Sequence, residues 1–324
     1  MGVAAERAER LRFIDFPAVL DDLRADVLAG LARQPKAIPP KYFYDAAGCR
    51  LFEAICAQPE YAVCRTERAL MDTHLPAISA AIGAVDCIIE PGAGDCAKVR
   101  ALIDALHPGQ LVALDIAGAA LAAAAESLAG EVPGLTVTAL GMDFMHHLEA
   151  AAPYLASGRR LVYYPGSSIG NFSPGQAVDL LARFRQLAGA DGQLLIGFDL
   201  KKDPEHLHRA YNDAAGVTAA FNLNLLTRLN RELEADFDLD RFRHYAFYNP
   251  PAGRIEMHLV SLAEQTVSVA GQRFPFAIGE TLHTENSYKF RGDEFSAIAG
   301  RAGWALTGEW ALDGFCVQLY GVRG

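Results

Sequence analysis

Residues 86–106 read "DCIIEPGAGDCAKVRALIDAL": a short apolar strand, a glycine turn, then a helix. Gly92 and Gly94 allow the backbone to pass close to a ligand, and the first amides of the following helix are free to point at it. A bare Gly-Ala-Gly fits a tight, ligand-free turn equally well. The neighbouring segments add weight to the first reading.

The next apolar run, "QLVALD" at 110–115, ends on Asp115, about 20 residues past the turn, where an acid can take both hydroxyls of a ribose. A third run, "LTVTALGMD" at 135–143, offers Asp143 to an adenine amino group and the following Phe144 to its ring. The same pair also reads as an ordinary helix N-cap with a core phenylalanine. Three successive strand ends thus lie where one nucleoside would run across them. Two cofactor types fit this layout. A dinucleotide enzyme favours a third glycine three positions after Gly94, and Ala97 there is an allowed substitute. Glu90 before the turn, with two late strands, resembles the S-adenosylmethionine-dependent methyltransferase fold.

Further out, "RRLVYYPG" (159–166) and "GQLLIGFDL" (192–200) continue the alternation of short aliphatic strands with helices. That alternation predicts an α/β fold around a mainly parallel sheet buried on both faces, and the resemblance just noted implies that it is of Rossmann-like, class I methyltransferase type. The texture then changes. Residues 203–237 are strongly helical, and "RHYAFYN", "GRIEMHLVSL", "QTVSVAG" and "ETLHTENSYKF" alternate as antiparallel strands do. After Phe290 a helix through "GDEFSAIAGRAG" and two strands, "WALTGEWALD" and "FCVQLYGV", restore the first pattern. The expected division is therefore 66–199 with 290–324 as one α/β domain, which the resemblance implies is a methyltransferase domain binding S-adenosylmethionine. An α+β substrate-binding domain is expected from 15–65 with 200–289, its N-terminal part opening on a helix in "PAVLDDLRADVLAGLARQ" (17–34).

Composition narrows the classes. With 324 residues, 51% hydrophobic and 21% charged, the chain has the profile of a soluble globular protein long enough for two domains. A formal net charge of -10 without a basic run disfavours nucleic acid. No apolar stretch reaches the roughly eighteen residues of a membrane span. The charged start "MGVAAERAERLRF" lacks the apolar core of a secretory signal, and the six scattered cysteines read as reduced thiols, so a cytoplasmic protein, expected as a monomer, follows. Neither His146 with His147 nor His206 with His208 has the spacing that puts two imidazoles on one helical face, so no metal is expected.

Several longer runs then resemble one family closely. "PKAIPPKYFYDAAGCRLFEAICAQPEY" (35–61), "PGSSIGNFSP" (165–174), "RAYNDAAGVTAAFNLNLLTRLNRELEADFD" (209–238), "RIEM" (254–257) and "TENSYKFR" (284–291) are similar, in order, to the histidine-specific Nα-methyltransferases of ergothioneine biosynthesis. The resemblance implies transfer of three methyl groups from S-adenosylmethionine to L-histidine, giving hercynine. By matching motif it implies cofactor contacts at Tyr44, Gly92, Lys98, Asp115, Asp143 and Phe144. It implies amino-acid contacts at Tyr61, Gly166, Asn171, Tyr211, Met257, Glu285 and Ser287, with Tyr61 and Asn171 closest to the chemistry. Plainer roles exist for most of them. Either tyrosine serves as a half-buried anchor, Gly166 as a turn glycine, Met257 as core, and Lys98 as a solvated helix residue or a partner of Glu90. Asn171 could cap the helix after "FSPGQ", a place Ser173 fills at least as well.

The chain departs from the family pattern at Ala62, where a second tyrosine is common, and at Ala117, where a second acid is common. Asn286 replaces an aliphatic, and Cys64 a threonine. The alternatives are an N-methyltransferase for a tryptophan-like amino acid, a non-catalytic S-adenosylmethionine-binding regulator, and a dehydrogenase. Strict alternation in "TLHTENSYK" puts Thr281, His283, Glu285, Ser287 and Lys289 on one face and Leu282, Thr284, Asn286 and Tyr288 on the other. On that reading Glu285 and Ser287 grip one imidazole, and Asn286 points away from it.

Overall fold

A computed structural model describes residues 10–16 and 20–323. In chain order its strands are β1 (Leu11–Asp15), β2 (Lys36–Ala37), β3 (Cys87–Pro91), β4 (Gln110–Asp115), β5 (Thr136–Gly141), β6 (Arg160–Tyr164) and β7 (Gln193–Asp199). They continue with β8 (Phe242–Asn249), β9 (Arg254–Ser261), β10 (Gln265–Val269), β11 (Gln272–Phe276), β12 (Thr281–Tyr288), β13 (Trp304–Leu312) and β14 (Phe315–Val322). The chain forms two compact units. One is built from Arg65–Leu200 and Phe290–Gly324 together with β1, the other from Val19–Cys64 and Lys201–Lys289.

The first unit carries an eight-stranded sheet in the order β1-β5-β4-β3-β6-β7-β14-β13. β3 and β7 are buried along their whole length, as central strands covered on both faces must be. All pairs from β1 to β7 are parallel, whereas β14 runs antiparallel to both β7 and β13. The chain leaves β3 for β4 on one side and later returns to β6 on the other, so the strand order reverses beside β3. In open α/β sheets that reversal, at the carboxyl ends of the strands, is where ligands bind. β1 was not expected. Its half-exposed "LRFID" has no strand pattern of its own and is recruited as an edge by pairing with β5.

In the second unit, β2, β12, β9 and β8 form a four-stranded sheet, and β10 with β11 a separate hairpin. The first expected helix is described from Leu20 to Leu31; its positions 17–19 lie outside the described residues. The helical run expected across 203–237 is broken into Pro204–Ala210 and Val217–Glu232. Gly216, at a φ of +71°, turns the chain, and the Asp213 carboxylate accepts from the amides of Val217 and Thr218 at 2.7 and 2.8 Å. Among the described residues no helix is long and apolar enough to cross a membrane.

β12 departs from strict alternation. Its register against β9 shifts between His283 and Glu285, which leaves Thr284 as an inserted residue. Leu282 stands opposite Leu259, and beyond the bulge Glu285 stands opposite Met257 and Ser287 opposite Ile255. His283 pairs with His258 and Asn286 with Glu256 on the reverse face. The expected grouping is therefore corrected. Thr281 and His283 do not share a face with Glu285 and Ser287, because one extra residue inverts the side-chain phase. Asn286 does lie opposite Glu285, as expected.

The bulge is pinned from within. The Thr284 hydroxyl lies 2.8 Å from Asn222 Oδ1 and 3.1 Å from the carbonyl of Met257, and Asn222 is fully buried on the helix Val217–Glu232. Thr284→Val keeps the shape but strands the Asn222 oxygen, and should cost about 1–3 kcal/mol of stability in urea denaturation. A loss under about 0.5 kcal/mol would show that the hydroxyl does not hold the bulge.

Candidate active site

In the first unit the glycine turn is laced to the end of β4. The amides of Gly92 and Ala93 both donate to the Leu114 carbonyl, at 2.7 and 3.0 Å. The amides of Gly94 and Ala117 each donate to one oxygen of Asp115, at 2.8 Å. Gly92 and Gly94 have φ of +71° and +54°, which disfavours any side chain there. A Cβ at Gly94 would meet nothing within 4 Å, and one at Gly92 would meet only the Phe144 ring at 3.9 Å. The turn is thus held from behind and bare in front. The fold brings Gly92, Asp115 and Phe144 together here. Asp143 is the N-cap of the short helix Phe144–His147, accepting from the Met145 amide at 2.9 Å and pairing with His146 at 2.8 Å.

Beside this turn lies an ion pair between a buried acid and an exposed lysine, which sequence reasoning missed. Glu67, only 3% exposed, accepts from Lys98 Nζ at 2.8 Å and from the Gly166 amide at 2.7 Å. Two glycines make room for it. A Cβ at Gly166 would lie 2.7 Å from Lys98 Nζ, and one at Gly197 would lie 2.7 Å from the Glu67 carboxylate. Lys98 therefore pairs with a buried acid while its own side chain stays 42% exposed to solvent. Glu67 had a signal: Val63, Glu67, Leu70 and Met71 form the buried stripe of one helix, and an acid in such a stripe needs a partner. Glu90 at the end of β3 is also buried, which pushes its carboxyl well up, with Lys98 opposing the shift. Asn171 closes the turn after β6. Ser173, not Asn171, caps the next helix, in a capping box with Gln176, and this leaves the Asn171 amide for another use.

The second unit gathers the remaining residues. Edge-on aromatic contacts link Tyr44 to Phe52 (5.8 Å), Phe52 to Tyr61 (6.5 Å) and Tyr61 to Tyr211 (5.9 Å). Tyr211 donates its hydroxyl proton to Ser287 Oγ at 2.8 Å. Lys289, 2% exposed and not anticipated as a site residue, donates to the same Ser287 oxygen at 2.9 Å and to the Tyr211 oxygen at 3.1 Å. Burial raises the Glu285 carboxyl to about 7, with the Lys289 charge pulling against it. Burial also pushes the Tyr61 phenol well up, and charge on Tyr211, Cys64, Cys56 and Glu285 would add to this, so Tyr61 keeps its proton at neutral pH. Among the described residues no cysteine is in a disulfide, and the Sγ atoms of Cys56 and Cys64 lie 2.7 Å apart.

On the reverse face of the same sheet, Glu256, His258 and His283 bring potential ligand atoms within 4.8 Å of one another, a cluster that residue spacing along the chain does not show. The carboxylate is already engaged by Arg254 at 2.8 Å and Asn249 at 2.9 Å, and the imidazoles stack at 4.8 Å. Desolvation holds both imidazoles below the usual histidine range.

The chain is similar to known proteins. A family profile described as "Histidine-specific methyltransferase, SAM-dependent" matches residues 23–323. The chain is 43% identical over 294 residues to the histidine N-alpha-methyltransferase of Mycolicibacterium smegmatis, across 89% of this chain and 90% of that one. It is 40% identical over 287 residues to the enzyme of the same name from Mycobacterium tuberculosis, across 87% and 88%. Among solved structures, an S-adenosylmethionine-dependent methyltransferase from Clostridium acetobutylicum aligns with a TM-score of 0.47 at 10% identity, over 84% of this chain and 98% of that one. The chain belongs to the histidine-specific, S-adenosylmethionine-dependent methyltransferase family.

Proposed function

We propose that the protein trimethylates the α-amino group of L-histidine, using S-adenosylmethionine, and that the product, hercynine, feeds ergothioneine biosynthesis. The observation that carries the choice of amino acid is the shared face of Glu285 and Ser287 beside Met257. A carboxylate and a hydroxyl two residues apart match the two nitrogens of one imidazole. An indole has a single N–H and no second ring nitrogen, so a tryptophan-like substrate would leave one of the two groups unmatched. A relative from Neurospora crassa named "Ergothioneine biosynthesis protein 1" is 28% identical over 85% of this chain, which supports the pathway.

The first unit has features that fit the cofactor. Its glycine turn is bare of side chains, Asp115 suits ribose hydroxyls, and the half-buried Phe144 ring beside Gly92 suits an adenine. Lys98 and Asp143 complete the set that this unit offers, and the family resemblance adds Tyr44. Bound there, the cofactor supplies an electrophilic methyl group on a sulfonium sulfur. The protein's part is to hold a neutral amine, because an ammonium has no lone pair to attack with. The Asn171 amide can both donate and accept, and the Gly166 carbonyl can accept an amine proton. Tyr61, which keeps its proton, donates to the substrate carboxylate rather than acting as the base. Tyr211 gives its proton to Ser287, so we place this phenol at the imidazole end.

Purified protein with S-adenosylmethionine should convert L-histidine to its trimethylated betaine, followed by mass spectrometry; transfer to tryptophan but not histidine would refute the assignment. Glu285→Ala should lower kcat/KM for histidine roughly 10- to 100-fold and leave cofactor binding nearly unchanged. Asn286→Ala, on the other face, should change turnover by less than about threefold. Equal damage from both would mean the wrong face was assigned to the substrate. The Glu285 carboxyl also gives a pH dependence. Its midpoint rises from 4.5 unfolded to about 7 folded, so between these values the folded chain binds more protons. Raising the pH through that window removes stability from the wild type but not from Glu285→Gln. The melting temperature of the wild type, relative to the variant, should therefore fall between about pH 5 and about pH 8; a constant difference would contradict the assignment.

A further inference from the structure

Ser287 Oγ has two lone pairs and one proton. Tyr211 fills one lone pair by donating at 2.8 Å, and Lys289 fills the other by donating at 2.9 Å. No described residue accepts the remaining Ser287 proton. Lys289 has no acceptor capacity, so it cannot reverse the direction of its bond. The serine is therefore a donor only, and it shares a face with Glu285, two residues away, whose carboxylate is an acceptor only once ionised.

We propose that Lys289 is a specificity-determining positioning residue, which fixes Ser287 as a hydrogen-bond donor so that histidine binds with a neutral imidazole in a single tautomer. This inference rests on the reading above that Glu285 and Ser287 hold the imidazole. The ring N–H goes to Glu285, and the unprotonated ring nitrogen accepts from Ser287. An imidazolium has two N–H groups and no lone pair, so it would set a donor against a donor at Ser287, with the Lys289 ammonium behind it. Strand geometry allows the arrangement, because residues two apart on one face project in the same direction about 6–7 Å from each other. The same count explains why a lysine is buried here. A third hydroxyl in its place would leave every proton in the group free to turn round, and a donor-only group does not.

The test compares histidine with the two pyrrolylalanines, in which either ring nitrogen is replaced by carbon. Each retains one N–H and has no acceptor nitrogen. Wild type should prefer histidine over the better of the two by roughly 10- to 100-fold in kcat/KM. In Lys289→Met, Ser287 regains a lone pair and can turn its proton away, so the preference should shrink to within about threefold, with cofactor affinity retained; an undiminished preference would overturn the proposal. Lys289→Arg, which keeps an obligate donor, should restore part of it. If Lys289→Met does not fold, the wild type itself gives the answer by nitrogen-15 NMR of ring-labelled histidine bound with S-adenosylhomocysteine. At about pH 6.5, where half of free histidine rings are protonated, the bound ring should be neutral with one N–H; a bound imidazolium would overturn the proposal. Ser287→Ala and Glu285→Ala separate the two levels of inference. If neither alters KM for histidine, the imidazole assignment itself fails. If both do while Lys289→Met retains the wild-type preference, only the role of Lys289 fails.

Discussion

The Thr284 hydroxyl, bonded to the buried amide of Asn222, keeps one extra residue in β12, and which side chains share a face of the second unit's sheet depends on that insertion. Without the extra residue, Leu282 and His283 would exchange faces relative to Glu285 and Ser287. With it, the acid and the serine follow Leu282 on the buried face, opposite Met257 and Ile255. Asn222 carries the restraint onward. Its amide nitrogen reaches the His258 carbonyl at 3.0 Å and the His244 ring at 2.9 Å, and His244 in turn lies 2.9 Å from the Tyr211 carbonyl. One helix residue thus ties the bulge to the segment that carries the Tyr211 phenol.

The first unit solves a different problem, that of keeping a buried acid paired beside a parallel sheet. Glu67 is stable there because it accepts from the half-exposed Lys98 and from the Gly166 amide, and because Gly166 and Gly197 leave room for these contacts. Glu90 faces the same interior, and burial favours its protonated form. Removing Lys98 would leave the buried Glu67 carboxylate without its cation, so the two glycines constrain this pair as firmly as the charged residues do.

Much of the fold was legible in the chain. Continuous aliphatic runs between helices announce buried parallel strands, and the glycine turn of 92–94 marks the strand-to-helix junction where the sheet order reverses. β1 was not legible, because a half-exposed edge strand takes its conformation from its neighbour rather than from its own pattern. The break at Gly216 was only weakly marked, since the residues on both sides favour helix. For the site, the motifs supplied the residue types, and the structure supplied partners that motifs do not name. Glu67 beside Lys98 and Lys289 beside Ser287 are each contributed by residues whose importance lies in what they touch.

By itself the sequence determined the α/β class, the interruption of that pattern by an antiparallel segment, and the family, because periodicity and motif order are properties of the chain alone. Tertiary structure decided the phase of β12 and the direction of its hydrogen bonds. A one-residue bulge leaves no trace in residue types, and a hydroxyl becomes donor or acceptor only through the groups that surround it.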